Sequence, residues 1–163
     1  MKKTLAVISV AFLFLIMAGL AFAKKDDFAG TWKLDANKSK FSTGQSRKSE
    51  TRVVEFSAQG MRVSVKRVNA DGNTQEFEYT TNLDGKDYPI TGAGPYGANT
   101  IASNLADPNT IQATLKNQNK LVATATAVVS KDGKVLTITT KGTDSNGKHF
   151  HNVSVYDKVS NQQ

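Results

Sequence analysis

Two histidines, four tyrosines and one tryptophan are the chemically distinctive side chains of this sequence, which contains no cysteine. His149 and His151 stand two apart, so on a β-strand their imidazoles share one face. Two imidazoles can begin a metal site, but a closed one takes three or four ligands and there is no third histidine. Asp157, the nearest carboxylate of the same parity, lies too far along the strand. The pair therefore reads as solvated side chains, and no metal is expected. Nucleophilic catalysis lacks its parts: there is no thiol, no Gly-x-Ser-x-Gly elbow, and neither histidine has a recognisable serine and carboxylate partner. Acidic residues fall mostly in turns or on polar strand faces, not in an acid–base pair. No catalytic residue and no cofactor is assigned, and the chain is not expected to be an enzyme. The run Gly92-Ala-Gly-Pro-Tyr-Gly97 lies between strands, where it suits a flexible connection better than a phosphate cradle. Tyr79, Tyr88, Tyr96 and Tyr156 offer amphipathic edges for the polar end of an apolar ligand. The alternative is a core tyrosine satisfied by backbone.

What would position these groups is a series of ten short stretches alternating apolar and polar residues. They are Phe28–Asp35, Thr51–Ala58, Met61–Val68, Thr74–Asn82, a short one near Asp87–Thr91, Asn99–Leu105, Thr110–Lys116, Lys120–Ser130, Lys134–Gly142 and Lys148–Val159. Turn pairs such as Gln59-Gly60, Asp71-Gly72, Asp84-Gly85, Asp132-Gly133 and Asn146-Gly147 separate them, which predicts tight antiparallel hairpins. Pro89 demotes its stretch to an edge or bulge position. No segment after the leader carries helical periodicity. The economical architecture is an all-β, antiparallel up-and-down barrel of eight to ten strands, which removes sticky edges. An open sandwich is the alternative.

Parity then assigns an inner face. Val54, Phe56 and Ala58 share one side of their strand, as do Met61, Val63 and Val65, Phe77 and Tyr79, and Ile111, Ala113 and Leu115. On Lys120–Ser130 the inner set reads Leu121, Ala123, Ala125, Ala127 and Val129, and the three alanines leave space unless bulky neighbours fill it. Tyr79 and Tyr156 are placed inward.

Residues 1–23 read as a signal peptide, with Lys2 and Lys3, an apolar run from Leu5 to Leu20, and Ala21-Phe22-Ala23 before a polar switch. An uncleaved anchor is the alternative. Residues 24–163 then form one domain, exported to the periplasm or beyond. It holds 19 basic against 14 acidic residues, a net of +5. Export argues against nucleic acid, and the charge allows at most weak contact with an anionic envelope surface; otherwise it is a solvated, solubilising face.

Phe28-Ala-Gly-Thr-Trp-Lys-Leu34 resembles the opening strand of the calycins, most closely the fatty-acid-binding proteins and, through Gly-x-Trp, the lipocalins. The last hairpin, with Val155-Tyr-Asp-Lys158, is also similar. The resemblance implies a ten-stranded barrel around a ligand, with Trp32 packed across one end. Departures accompany it. Ala36–Glu50 is too short and polar for the helical lid of that family. Ser154 stands where the family carries the arginine that binds a ligand carboxylate, so the reading expects that anion-binding group to be missing. The chain also resembles an uncharacterised family of exported bacterial proteins with a Gly-Thr-Trp-Lys-Leu start, which implies no activity.

The expected function is an exported protein holding a small, largely apolar, lipid-like ligand among Val54, Phe56, Met61, Val63, Val65, Phe77, Tyr79, Leu115 and Tyr156. The competing expectation is a barrel packed solid that acts through surface or envelope contact.

Overall fold

The turn pairs Asp71-Gly72, Asp132-Gly133 and Asn146-Gly147 fall between strands as the sequence places them, whereas Asp84-Gly85 opens the strand Asp84–Pro89. A computed structural model describes residues 25–42, 46–144 and 146–159; the signal-peptide reading of residues 1–23 lies outside them. The strands are β1 (Gly30–Leu34), β2 (Arg47–Ser57), β3 (Gly60–Asn69), β4 (Thr74–Thr81), β5 (Asp84–Pro89) and β6 (Thr91–Gly92). They continue with β7 (Thr100–Asp107), β8 (Thr110–Asn117), β9 (Lys120–Val129), β10 (Val135–Thr143) and β11 (His149–Lys158). Helical structure among the described residues is confined to two 3-10 turns, Lys25–Phe28 and Pro95–Gly97.

All eleven strands belong to one sheet in the order β5-β7-β8-β9-β10-β11-β1-β2-β3-β4-β6. Every pairing is antiparallel, and β1 bridges the last strand to the second. The sheet curls until β4 lies beside β5, leaving a seam there without a ladder among the described residues. The result is a nearly closed antiparallel barrel. Eleven strands replace the expected ten because the stretch around Asp87–Thr91 splits after Pro89 into β5 and the two-residue β6, which turns across to pair with β4. Pro89 sits on the edge strand, where its missing N–H breaks no interior ladder.

Strand direction alternates, so the connections fall in two groups. The lower end carries the links after β2, β4, β7 and β9, and the upper end those after β3, β6, β8 and β10. The lower end is sealed by Trp32, fully buried, whose indole N–H donates to the Phe28 carbonyl at 2.9 Å. The Lys158 ammonium stands 4.9 Å above that ring and donates to the Asp27 carbonyl. Val54, Met61, Val63, Ile111, Val129 and Leu136 make the core above it.

The register shifts at four places among the described strands, and two of these shifts correct an expectation. Between β8 and β9 the register jumps from Leu115↔Ala123 to Lys116↔Leu121, so Val122 is the extra residue. Leu121 is thereby turned outward and is 63% exposed, although alternation alone puts it inside. Gly142 accommodates the bulge, since a Cβ there would collide with the Val122 carbonyl oxygen. The second bulge lies in β2, which begins at Arg47 and not at Thr51. The register shifts between Arg47 and Ser49, leaving Lys48 and Ser49 both exposed and turning Arg47 inward beside Glu50.

Candidate ligand-binding site

The interior is divided by height. It holds a cavity of about 90 Å³ whose apolar lower wall includes Val54, Met61, Val63, Phe77, Ile111, Leu136 and the small side chains of Ala113, Ala125 and Ala127. Of the three alanines expected to leave space, Ala125 and Ala127 line the cavity, whereas Ala123 is packed in a separate cluster with Leu115 and Phe150. Seven of the nine expected ligand-site residues border it: Val54, Met61, Val63, Phe77, Tyr79, Leu115 and Tyr156. Val65 is buried outside the lining, and Phe56 is half-buried near the lower rim with Ala58, which is exposed.

Above the cavity lies a polar layer that alternation should have revealed. Glu50 is 2% exposed and is surrounded by Arg47, Arg52 and Arg67. Arg52 Nε donates to Glu50 Oε1 at 3.1 Å, and the Tyr156 hydroxyl donates to the same oxygen at 2.8 Å. Glu50 Oε2 lies 2.9 Å from Arg47 Nη1 and 3.2 Å from Arg67 Nε. Neither of these contacts runs along an N–H direction, so Oε2 and Arg67 Nε are ion-paired without a hydrogen bond. Arg47 instead donates to Ser154 Oγ at 3.2 Å, to the Tyr156 hydroxyl at 3.4 Å and to the Tyr96 hydroxyl at 3.1 Å. Arg67 rests on the face of Phe77, 5.0 Å from the ring centroid.

Burial opposes the charge on Glu50, but Arg52, Arg67, Arg47 and the Tyr156 hydrogen bond outweigh it and hold the carboxyl at about 2. Burial, with the Glu50 charge beside it, pushes the Tyr156 hydroxyl up to about 12. Arg52 and Arg47 are also desolvated, yet their partners raise both above the ordinary arginine value. Arg67 goes the other way: burial, helped by Arg47 and Arg52, lowers it despite Glu50. At neutral pH the layer therefore holds three guanidiniums against one carboxylate, and Arg67 is the least compensated of them.

A mouth opens above this layer. A cleft of about 670 Å³ is lined by Ser46, Asn69, Ala70, Asp71, Gln75, Gly97 and Asp144, and its floor is Arg47, Arg67 and Tyr96. Those three residues also form the roof of the inner cavity. Tyr96 comes from the Gly92–Gly97 run at left-handed φ of 57°, stacks on Phe150 with centroids 4.5 Å apart, and accepts hydrogen bonds from Arg47 and Asn152. A positive φ is unusual for a side chain of this size and is held here by that stack and those bonds.

The other sequence candidates fall outside this chamber. His149 and His151 are exposed on the outer face of β11, and Tyr88 bonds Asp84 at the surface. Tyr156 is satisfied by a side-chain carboxylate and not by backbone. Ser154 accepts a hydrogen bond from Arg47, and β2 and β3 together bring three arginines around Glu50. Glu50 and Arg52 share the parity of Val54, and Arg67 shares that of Val63 and Val65. The alternation that placed the apolar residues inside also placed these, and only Arg47 needed the bulge.

No protein-family model matches the chain, and no curated protein does. Among solved structures it is similar to zebrafish ileal bile acid-binding protein complexed with cholic acid, at 9% identity over 82% of this chain and 99% of that one, with a TM-score of 0.46. It is also similar to lobster apocrustacyanin A1, at 16% identity over 85% of this chain and 64% of that one, TM-score 0.44. A third is the siderocalin Ex-FABP, described as having dual ligand specificities, at 16% identity over 83% and 78%, TM-score 0.38.

Proposed function

We propose that the chain is an exported binding protein that holds a small, largely apolar, lipid-like molecule inside the barrel. The observation that supports this most is an interior cavity with an apolar floor, bordered above by polar side chains that also face an open cleft. Such a chamber orients an amphipathic molecule, its tail gaining from burial and its head from hydrogen bonds. Binding suits the polar layer better than catalysis does. A carboxyl at about 2 and a phenol at about 12 are both far from the neutral range in which general acids and bases work best. At about 90 Å³ the cavity takes a short chain and no aromatic ring, being below the roughly 150 Å³ that admits benzene in an apolar protein cavity.

Titration with a fluorescent probe bearing a short alkyl chain tests the proposal. Saturable uptake by the native chain, lost in Val63→Trp with the far-UV spectrum unchanged, is the expected result. The small cavity volume also favours a second reading, a filled barrel that works by surface or envelope contact. No uptake by either protein would select it. Export predicts a mature protein recovered outside the cytoplasm with Lys24 at its N-terminus, readable by intact-mass measurement.

A further inference from the structure

We infer that the cleft floor is a site for a doubly charged oxyanion of the phosphate-monoester type, carried on the small ligand proposed above. The inference deepens that reading and rests on the lumen being a ligand site. Its starting point is charge. Arg47, Arg52, Arg67 and Glu50 are all buried side chains, so the interior carries two positive charges that no described side chain neutralises. Buried charges are ordinarily paired, because desolvating them singly costs several kcal/mol.

Arg67 marks the place. Its side chain is only 6% exposed, and among the described residues its guanidinium donates no hydrogen bond. It borders both the cavity and the cleft, as does Arg47. Arg52 borders the cavity but not the cleft, whereas Arg47 and Arg67 flank one opening, so a single tetrahedral head could reach both. Guanidinium groups suit this task, since their fixed donors match phosphate oxygens. The Tyr96 hydroxyl, now accepting two hydrogen bonds, has its own O–H to offer the same head. Two carboxylates, Asp71 and Asp144, line the rim, but both accept hydrogen bonds from their own turns, from Asn73 and from Asn146 and Lys148. Both keep their charge, but at the rim, exposed or half-exposed, they are screened by water and salt more than the buried Arg47 and Arg67 of the floor. One negative charge on the ligand leaves the layer at +1, and two bring it to neutrality.

Calorimetric titration at pH 8 separates the possibilities. Hexyl phosphate, hexyl sulfate, hexanoate and hexanol share a tail, and at this pH they carry two, one, one and no negative charges, because the second phosphate ionisation lies near pH 6. Inorganic phosphate is titrated as the head alone. Hexyl phosphate binding about tenfold or more tightly than hexyl sulfate supports the inference, with the difference shrinking severalfold in Arg67→Met and Arg67→Lys. Hexyl sulfate or hexanoate binding as tightly as hexyl phosphate overturns it. Hexanol binding as tightly as hexyl phosphate overturns it too, while leaving the apolar ligand chamber standing. Binding of inorganic phosphate, with no gain from the hexyl tail, supports the anion floor and contradicts the chamber below it. No binding of any of the five overturns both.

Discussion

Glu50 is the residue on which the polar layer turns. Removing its charge leaves three buried guanidiniums facing one another, so Glu50→Gln should destabilise the fold by about 3–5 kcal/mol in urea denaturation. Arg67→Met removes the least compensated cation and relieves repulsion from Arg47 and Arg52, so its effect should stay below about 1 kcal/mol without ligand. The acid limb of stability follows from the same carboxyl. Its folded value of about 2 lies below its ordinary 4.5, so between these the unfolded chain binds more protons. The stability it contributes is complete above about pH 4.5 and is lost as pH falls toward 2, on the order of 3 kcal/mol in all. Denaturation midpoints measured down to pH 3 should fall in the native chain and fall much less in Glu50→Gln.

At the scale of elements, the strands and turns were legible because alternation and x-Gly pairs act locally. Ten stretches were expected, and the observed boundaries move by a few residues, except in β2. There the bulge at Lys48 extends the strand back to Arg47, into a segment whose composition reads as a solvated connection. A bulge is an agreement between two strands, and one strand's composition does not announce it; Leu121 was misplaced for the same reason. The Gly92–Gly97 loop was legible as flexible but not as the carrier of a mouth tyrosine. Gly94 allows that loop to close, because a Cβ there would overlap the Ala98 carbonyl oxygen. Gly94→Val should therefore displace Tyr96 from Arg47 and Asn152. Hydrogen exchange at Ala98 and Gly97, whose amides donate within the loop, should rise at least severalfold while β8 to β11 stay protected.

For the whole molecule, a meander of hairpins closing through β1 onto β11 was foreseeable from strand spacing and the Gly-x-Trp opening. The volume inside was not, since it depends on what the opposite wall sets against Ala113, Ala125 and Ala127, which are neighbours on β8 and β9. The charged upper half was legible in Glu50, Arg52 and Arg67, which share the parity of the apolar inner residues, but Arg47 was not, because the bulge turns it inward. The central claim is that the apolar lower half is a chamber open to small apolar molecules. Methyl-labelled NMR spectra recorded while 1-hexanol is added test it directly. Saturating shifts in the methyls of Val54, Val63, Ile111 and Leu136, with Leu121 and Val128 on the outer surface unmoved, are the predicted result. Shifts confined to the two outer residues, or none up to the solubility of the alcohol, would contradict it.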